Sequence, residues 1–197
     1  MTIGWGEQAQ AIDIFEVGPV LTKIQSFCVG SLGQHGQTGT FSPTTYQISV
    51  FDNNELCILD IQTSECLLKK DCEHFSSSSH CFSPDGSLFA VSLSLSVHIW
   101  KYDSGHYTPW RVFPAQSISL LQFSSTLSSI AASASSALKV WHLDLLPTVV
   151  HQVNDHPPLV ALSHQGTYMA TAHHKGCVVT ITNLLLQTTP KFIMWKW

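Results

Sequence analysis

Four segments of this chain start alike: FSPTTYQISVFDNNELCILDIQTSE from Phe41, FSPDGSLFAVSLSLSVHIWKYDSGH from Phe82, FSSTLSSIAASASSALKVWHLD from Phe123 and LSHQGTYMATAHHKGCVVTITNLLLQ from Leu162. The second and third each begin 41 residues after the one before, and the fourth begins 39 after the third. A repeat of this length constrains the fold strongly, because one such unit cannot bury its own apolar face and must stack on its neighbours. Each unit reads as four short strands. One ends at the Phe-Ser element; in the second unit the others are Leu88–Leu93, 97–102 and 108–113, with Pro84-Asp85-Gly86 as the clearest turn. The same alignment stacks Leu59, Trp100, Trp141 and Ile181 in one column near the end of the third strand. Four strands in about 40 residues make the blade of a β-propeller, so the expected fold is all-β, with four to five degenerate blades.

Composition agrees with this and narrows the function classes. Hydrophobic residues are 44% and charged residues 11% of the 197, too apolar for disorder and poor in the Lys and Glu that solubilise exposed helices. Thirteen acids against nine bases give a net charge of −4, so no basic field is present to hold a nucleic-acid backbone. The opening MTIGWGEQAQ has neither a basic nor an apolar leader region, and no apolar run approaches the roughly 18 residues of a membrane span. The expectation is a cytoplasmic protein with no membrane and no nucleic-acid partner. Its cysteines, Cys28, Cys57, Cys66, Cys72, Cys81 and Cys177, follow no disulfide framework and read as reduced thiols.

The unit resembles the WD repeat. The resemblance is carried by Phe82–Gly86 (FSPDG), by the run 170–178 (ATAHHKGCV) and by the strand-ending tryptophans of 97–100 (VHIW) and 138–141 (LKVW), and it covers roughly residues 41–189. The Ser-rich, low-charge style, with HIWKYDSG and VTITNLL, is similar to WD-repeat regions of fungal, basidiomycete-type proteins, some of which carry an upstream nucleoside-triphosphatase switch domain. No Gly-x-x-x-x-Gly-Lys-Ser/Thr loop occurs here, so this chain holds no such switch motif. The resemblance implies blades at about 41–81, 82–122, 123–161 and 162–189, a partial preceding blade and Gly-rich loop in 1–40, and a tail at 190–197. It further implies a non-catalytic protein-interaction scaffold, or the sensing part of a larger signalling protein. The stretch 11–27 is expected to supply two strands of the preceding blade, and 29–40 the loop after it.

Members of the family often join a His before the first strand, a Ser or Thr on the second, an Asp in the next turn and the Trp of the third. The Asp position reads Leu93-Ser94 and Ala134-Ser135 in the second and third units, and only Asp52-Asn53-Asn54 keeps an acid nearby. These blades are therefore expected to depend on strand packing more than on buried polar networks. Four or five blades also fall short of the seven that the WD type resembles. That implies an incomplete propeller, a truncated product without a function of its own, or pairing through open blade edges.

Candidate sites follow from the same frame. His173, His174 and Lys175 occupy the turn between second and third strands, where the family places partner contacts; Asp71, Glu73 and His74 lie in a connection between blades. Trp100 and Trp141 read as blade core. Cys66, Cys72, His74, His80 and Cys81 cluster in sequence but contain no Cys-x-x-Cys pair, which disfavours zinc. There is no Gly-x-Ser-x-Gly nucleophile motif among the many serines, and neither a catalytic residue nor a cofactor is assigned.

Overall fold

Strands β1 (Thr2–Trp5), β2 (Ala11–Glu16) and β3 (Thr22–Cys28) form the first sheet of a computed structural model, in the order β1-β2-β3. The structure describes residues 2–5, 11–28, 38–52, 55–72, 79–93, 95–134, 138–144, 149–153, 159–165, 167–173, 178–184 and 191–194. A four-stranded sheet follows, built from β4 (Thr38–Phe41), β5 (Gln47–Asp52), β6 (Glu55–Asp60) and β7 (Cys66–Asp71). The next holds β8 (His80–Phe82), β9 (Leu88–Leu93), β10 (Ser96–Asp103) and β11 (His106–Pro114). Then come β12 (Ile118–Phe123), β13 (Ser129–Ala134), β14 (Leu138–His142) and β15 (Val149–Val153), and last β16 (Leu159–Leu162), β17 (Tyr168–His173), β18 (Val178–Asn183) and β19 (Lys191–Met194). Every pairing is antiparallel between consecutive strands, and the described residues contain no helix. Four of these five sheets are small, antiparallel and four-stranded, an arrangement like that of propeller blades. The chain divides into two compact units, Met1–Phe75 and Ser76–Trp197.

One backbone clasp recurs in all four copies of the repeat. The N–H of the serine after the first strand donates to the carbonyl at the start of the second, as Ser42 to Gln47, Ser83 to Leu88, Ser124 to Ser129 and Ser163 to Tyr168, each at 2.9 Å. In three copies the serine hydroxyl accepts the return bond, from Leu88 N–H at 2.8 Å, Ser129 N–H at 3.0 Å and Tyr168 N–H at 3.0 Å. In the first copy Ser42 Oγ instead accepts from Thr45, at 3.3 Å from its N–H and 2.6 Å from its hydroxyl. A second bond closes each blade: Ile61, Tyr102, Leu143 and Leu184 N–H donate to the carbonyls of Tyr46, Ser87, Ser128 and Thr167 at 2.7 to 2.9 Å. Short polar side chains satisfy turn amides that no ladder reaches, which is why serine suits this position.

Repeated apolar columns then stack sheet on sheet within each unit. In the first unit Ile14 of β2 packs with Ile48, Val50 and Ile61. In the second, Val97, Ile99 and Phe113 pack with Ile130, Ala132 and Trp141, and on the opposite face of β14 Leu138 and Val140 pack with Met169 and Leu184. The third strand of one sheet thus faces the second strand of the next. A shift of register between third and fourth strands falls at Ile58/Leu59, Ile99/Trp100 and Val140/Trp141, and an equivalent one at Ile14/Phe15 between β2 and β3.

That equivalence identifies β1, β2 and β3 as counterparts of second, third and fourth blade strands, three where the sequence suggested two. β4 begins at Thr38, inside the stretch 29–40 expected to be loop; residues 29–37 lie outside the described ones. A further correction concerns the tryptophan column. Ile48 faces Leu59, Phe89 faces Trp100 and Ile130 faces Trp141, but their counterpart Met169 faces Thr182, not Ile181. The span is two residues longer here, and the column falls at Thr182, one position past Ile181; in a strand one position changes the face. Thr182 is accordingly buried.

Candidate protein-contact surface

Of the expected contact residues, Asp71 closes β7, exposed, opposite Glu55 of β6. Glu55 is paired with Lys69 at 2.9 Å, and Cys57 Sγ lies 3.2 Å from Glu55 Oε1. The hydrogen bond from Lys69 holds the Glu55 carboxyl below its ordinary range, and the same contact pushes Lys69 up. Glu73 and His74 lie outside the described residues, as do His174 and Lys175. His173 is the last residue of β17, its backbone opposite Val178. The structure therefore places His173 at the end of β17 and Asp71 at the end of β7, and it describes none of the other expected contact residues.

The sequence span across the β17–β18 connection is longer than across the corresponding ones of the two preceding sheets. Facing residues that flank it, Met169 and Thr182, are 13 apart in sequence, whereas Phe89 and Trp100, or Ile130 and Trp141, are 11 apart. The ladder on either side is intact, so the insertion lengthens the hairpin without disturbing the sheet.

The two tryptophans are core: Trp100 is buried among Phe89 and His98, and Trp141 is 0% exposed, stacked on Phe113 at 5.1 Å between ring centroids. Among the described residues Trp141 Nε1 has no hydrogen-bond partner, so packing holds this ring. A different polar link joins neighbouring blades. Ser92 Oγ accepts from Ser79 N–H at 3.0 Å, and Ser79 Oγ accepts from Leu121 N–H at 2.9 Å on the following sheet. Ser125 Oγ likewise donates to His164 O at 2.6 Å, and Ser128 Oγ to Gln165 O at 3.1 Å, tying turn to turn between the last two sheets.

Surface features that the repeat did not reveal are apolar. The β2–β3 hairpin exposes Val17, Val20 and Leu21, and β11 exposes Trp110 and Val112, with the Arg111 guanidinium 4.8 Å from the Trp110 ring centre. The alternation Thr108, Trp110, Val112 on a strand whose Tyr107 and Phe113 are buried was the available signal.

No group of three or more His, Cys, Asp or Glu is placed to hold a metal ion among the described residues. Burial pushes the Cys72 thiol up to about 11 and the Cys81 thiol up to about 12. No helix among these residues is long and apolar enough to cross a membrane. Comparison of the chain with protein-family models and with curated proteins finds no match.

Proposed function

We propose that this chain is a run of WD-type β-propeller blades that binds a protein partner in the cytoplasm and catalyses no reaction. One observation carries the reading: the clasp bonds and ladders recur from sheet to sheet, while the connections they hold differ in length and composition. A rigid frame with variable loops is the usual division of labour in binding proteins, since the frame limits the entropy lost when the loops engage. The 170–178 motif adds to it, because the lengthened β17–β18 connection carries the histidines and lysine that the WD resemblance assigns to partner contacts. Acidic or hydrogen-bond-accepting groups on the partner would suit His173, His174 and Lys175.

The test is affinity capture with the intact chain and with the variant His173→Ala/His174→Ala/Lys175→Ala. The expected result is a captured protein whose affinity for the variant drops at least about tenfold, roughly 1.4 kcal/mol, with the unfolding midpoint unchanged. Capture that the variant leaves intact, or none with either chain, would overturn the assignment.

A further inference from the structure

The second sheet places two cysteines together in a way that the binding reading does not use. Cys57 of β6 lies opposite Lys69 and Leu59 lies opposite Cys66, while the register shift between Ile58 and Leu59 leaves Leu67 facing no residue. Cys57 and Cys66 are therefore diagonal neighbours on one face of the sheet, at a bulge that adds twist. Cys66 is near enough to add, after burial and Glu55, to the rise of the Cys57 thiol. Cys66 is exposed, and its Sγ lies 3.4 Å from Leu68 O; Cys57 is half-buried. The charged groups on this face are Glu55 on β6 and Lys69 and Asp71 on β7, and β5 presents only Val50 opposite Cys57.

We propose that Cys57 and Cys66 are a redox modification site, a cross-strand dithiol that exchange with a small disulfide such as oxidised glutathione closes into a clip between β6 and β7. The exposed Cys66 loses its proton to water and its thiolate attacks one sulfur of the small disulfide. A mixed disulfide forms, and one glutathione thiolate leaves. Cys57 then gives up its proton and attacks Cys66 Sγ, forming the Cys57–Cys66 bond and expelling the second glutathione thiolate. Both thiolates take up protons, so the protein loses two hydrogens and two electrons and the small disulfide becomes two thiols. The order follows from access: burial first, and then the hydrogen bond to Glu55, push the Cys57 thiol up to about 12, which leaves Cys66 as the entry point. Closure requires the sulfurs to approach to about 2.05 Å and the Cα atoms to come within about 6.8 Å, closer than the roughly 7–8 Å of an ordinary diagonal pair, so side-chain rotation is joined by a small closing of the strands at the bulge. Its effect is to fasten an edge strand, and with it the end that carries Asp71, to the sheet.

The test exposes the whole reduced protein to oxidised glutathione, quenches it by alkylation and maps it after combined cleavage at Glu and at Lys or Arg. Cleavage at Glu55, Glu65 and Lys69 puts Cys57 alone in peptide 56–65 and Cys66 alone in 66–69. The expected product is those two peptides linked. In Cys57→Ser the glutathione adduct should stay on 66–69, and in Cys66→Ser peptide 56–65 should remain unmodified. An unreacted Cys66, a persistent adduct without the link in the unaltered protein, or a link from Cys66 to another cysteine would each overturn the proposal.

Discussion

The sheets β8–β11 and β12–β15 share the serine clasp, the closing bond and the shift between third and fourth strands, and fill the space between them differently. The second strand of the first is LFAVSL, and Phe89 sits among the rings of Phe82, Trp100 and Tyr107. The second strand of the next is SIAASA, buried along its whole length, and its small side chains leave room for a ring from the neighbouring sheet, Phe113, to lie on Trp141. Aromatic volume is thus local in one blade and borrowed in the other. The repeat conserves hydrogen-bond geometry, and each blade solves its own packing problem.

Removing volume should separate the two most sharply. Phe113→Ala is expected to cost about 4 kcal/mol by urea unfolding, because flanking alanines cannot fill the hole, and Phe89→Ala about 3 kcal/mol, because surrounding rings can shift. A larger loss at Phe89 would reverse the contrast. The clasps come next: Ser83→Ala strands the Leu88 N–H and takes one hydrogen bond from the Asp85 carboxylate, and should cost about 2 kcal/mol, against about 1 kcal/mol for Ser124→Ala. Equal losses would mean that Asp85 adds nothing.

Backbone strain is a smaller difference. The left-handed turn position is Gly86 in one blade, φ 71°, and Leu127 in the other, φ 60°. Leu127→Gly should raise stability by about 1 kcal/mol and Gly86→Ala lower it by a similar amount, both read from unfolding midpoints. The smallest effect is one of pH. Burial raises the Asp85 carboxyl, but hydrogen bonds from Ser83 and Ser87 outweigh it and hold the group below its ordinary 3.8. A depressed folded-state value means that its contribution is complete above that ordinary value and fades as pH falls through the folded one. Protection of the Ser87 and Leu88 amides, measured against their intrinsic exchange rates, should therefore fall in acid, while that of Ser129, whose turn has Thr126 in that place, should not follow.

Much of the second unit was legible because several signals coincide there. Phe82–Gly86 and Trp100 bracket β9 and β10, and the reading of Leu88–Leu93 agrees with the strand observed. The N-terminal strands were harder, since TIGW and TGTF are too short for alternation to show. Ile181 was misplaced because an apolar residue beside the column outweighed the register, which only pairing across the hairpin reveals. The Cys57–Cys66 pair was invisible for a similar reason: nine positions apart in sequence, they meet through a bulge that no spacing rule anticipates.

The register shift against the last strand bears on solubility. A bulge twists an edge strand and spoils the flat row of amides and carbonyls on which another chain could grow. β3, β7, β11 and β15 each have this protection, whereas β18 and β19 pair without a shift from Val178 opposite Met194 to Ile181 opposite Lys191. Fibre formation, if concentrated protein undergoes it, should start at β19, and a proline at Phe192 should delay it. The blade therefore carries its own guard against polymerisation, repeated with the fold and missing where the bulge is missing.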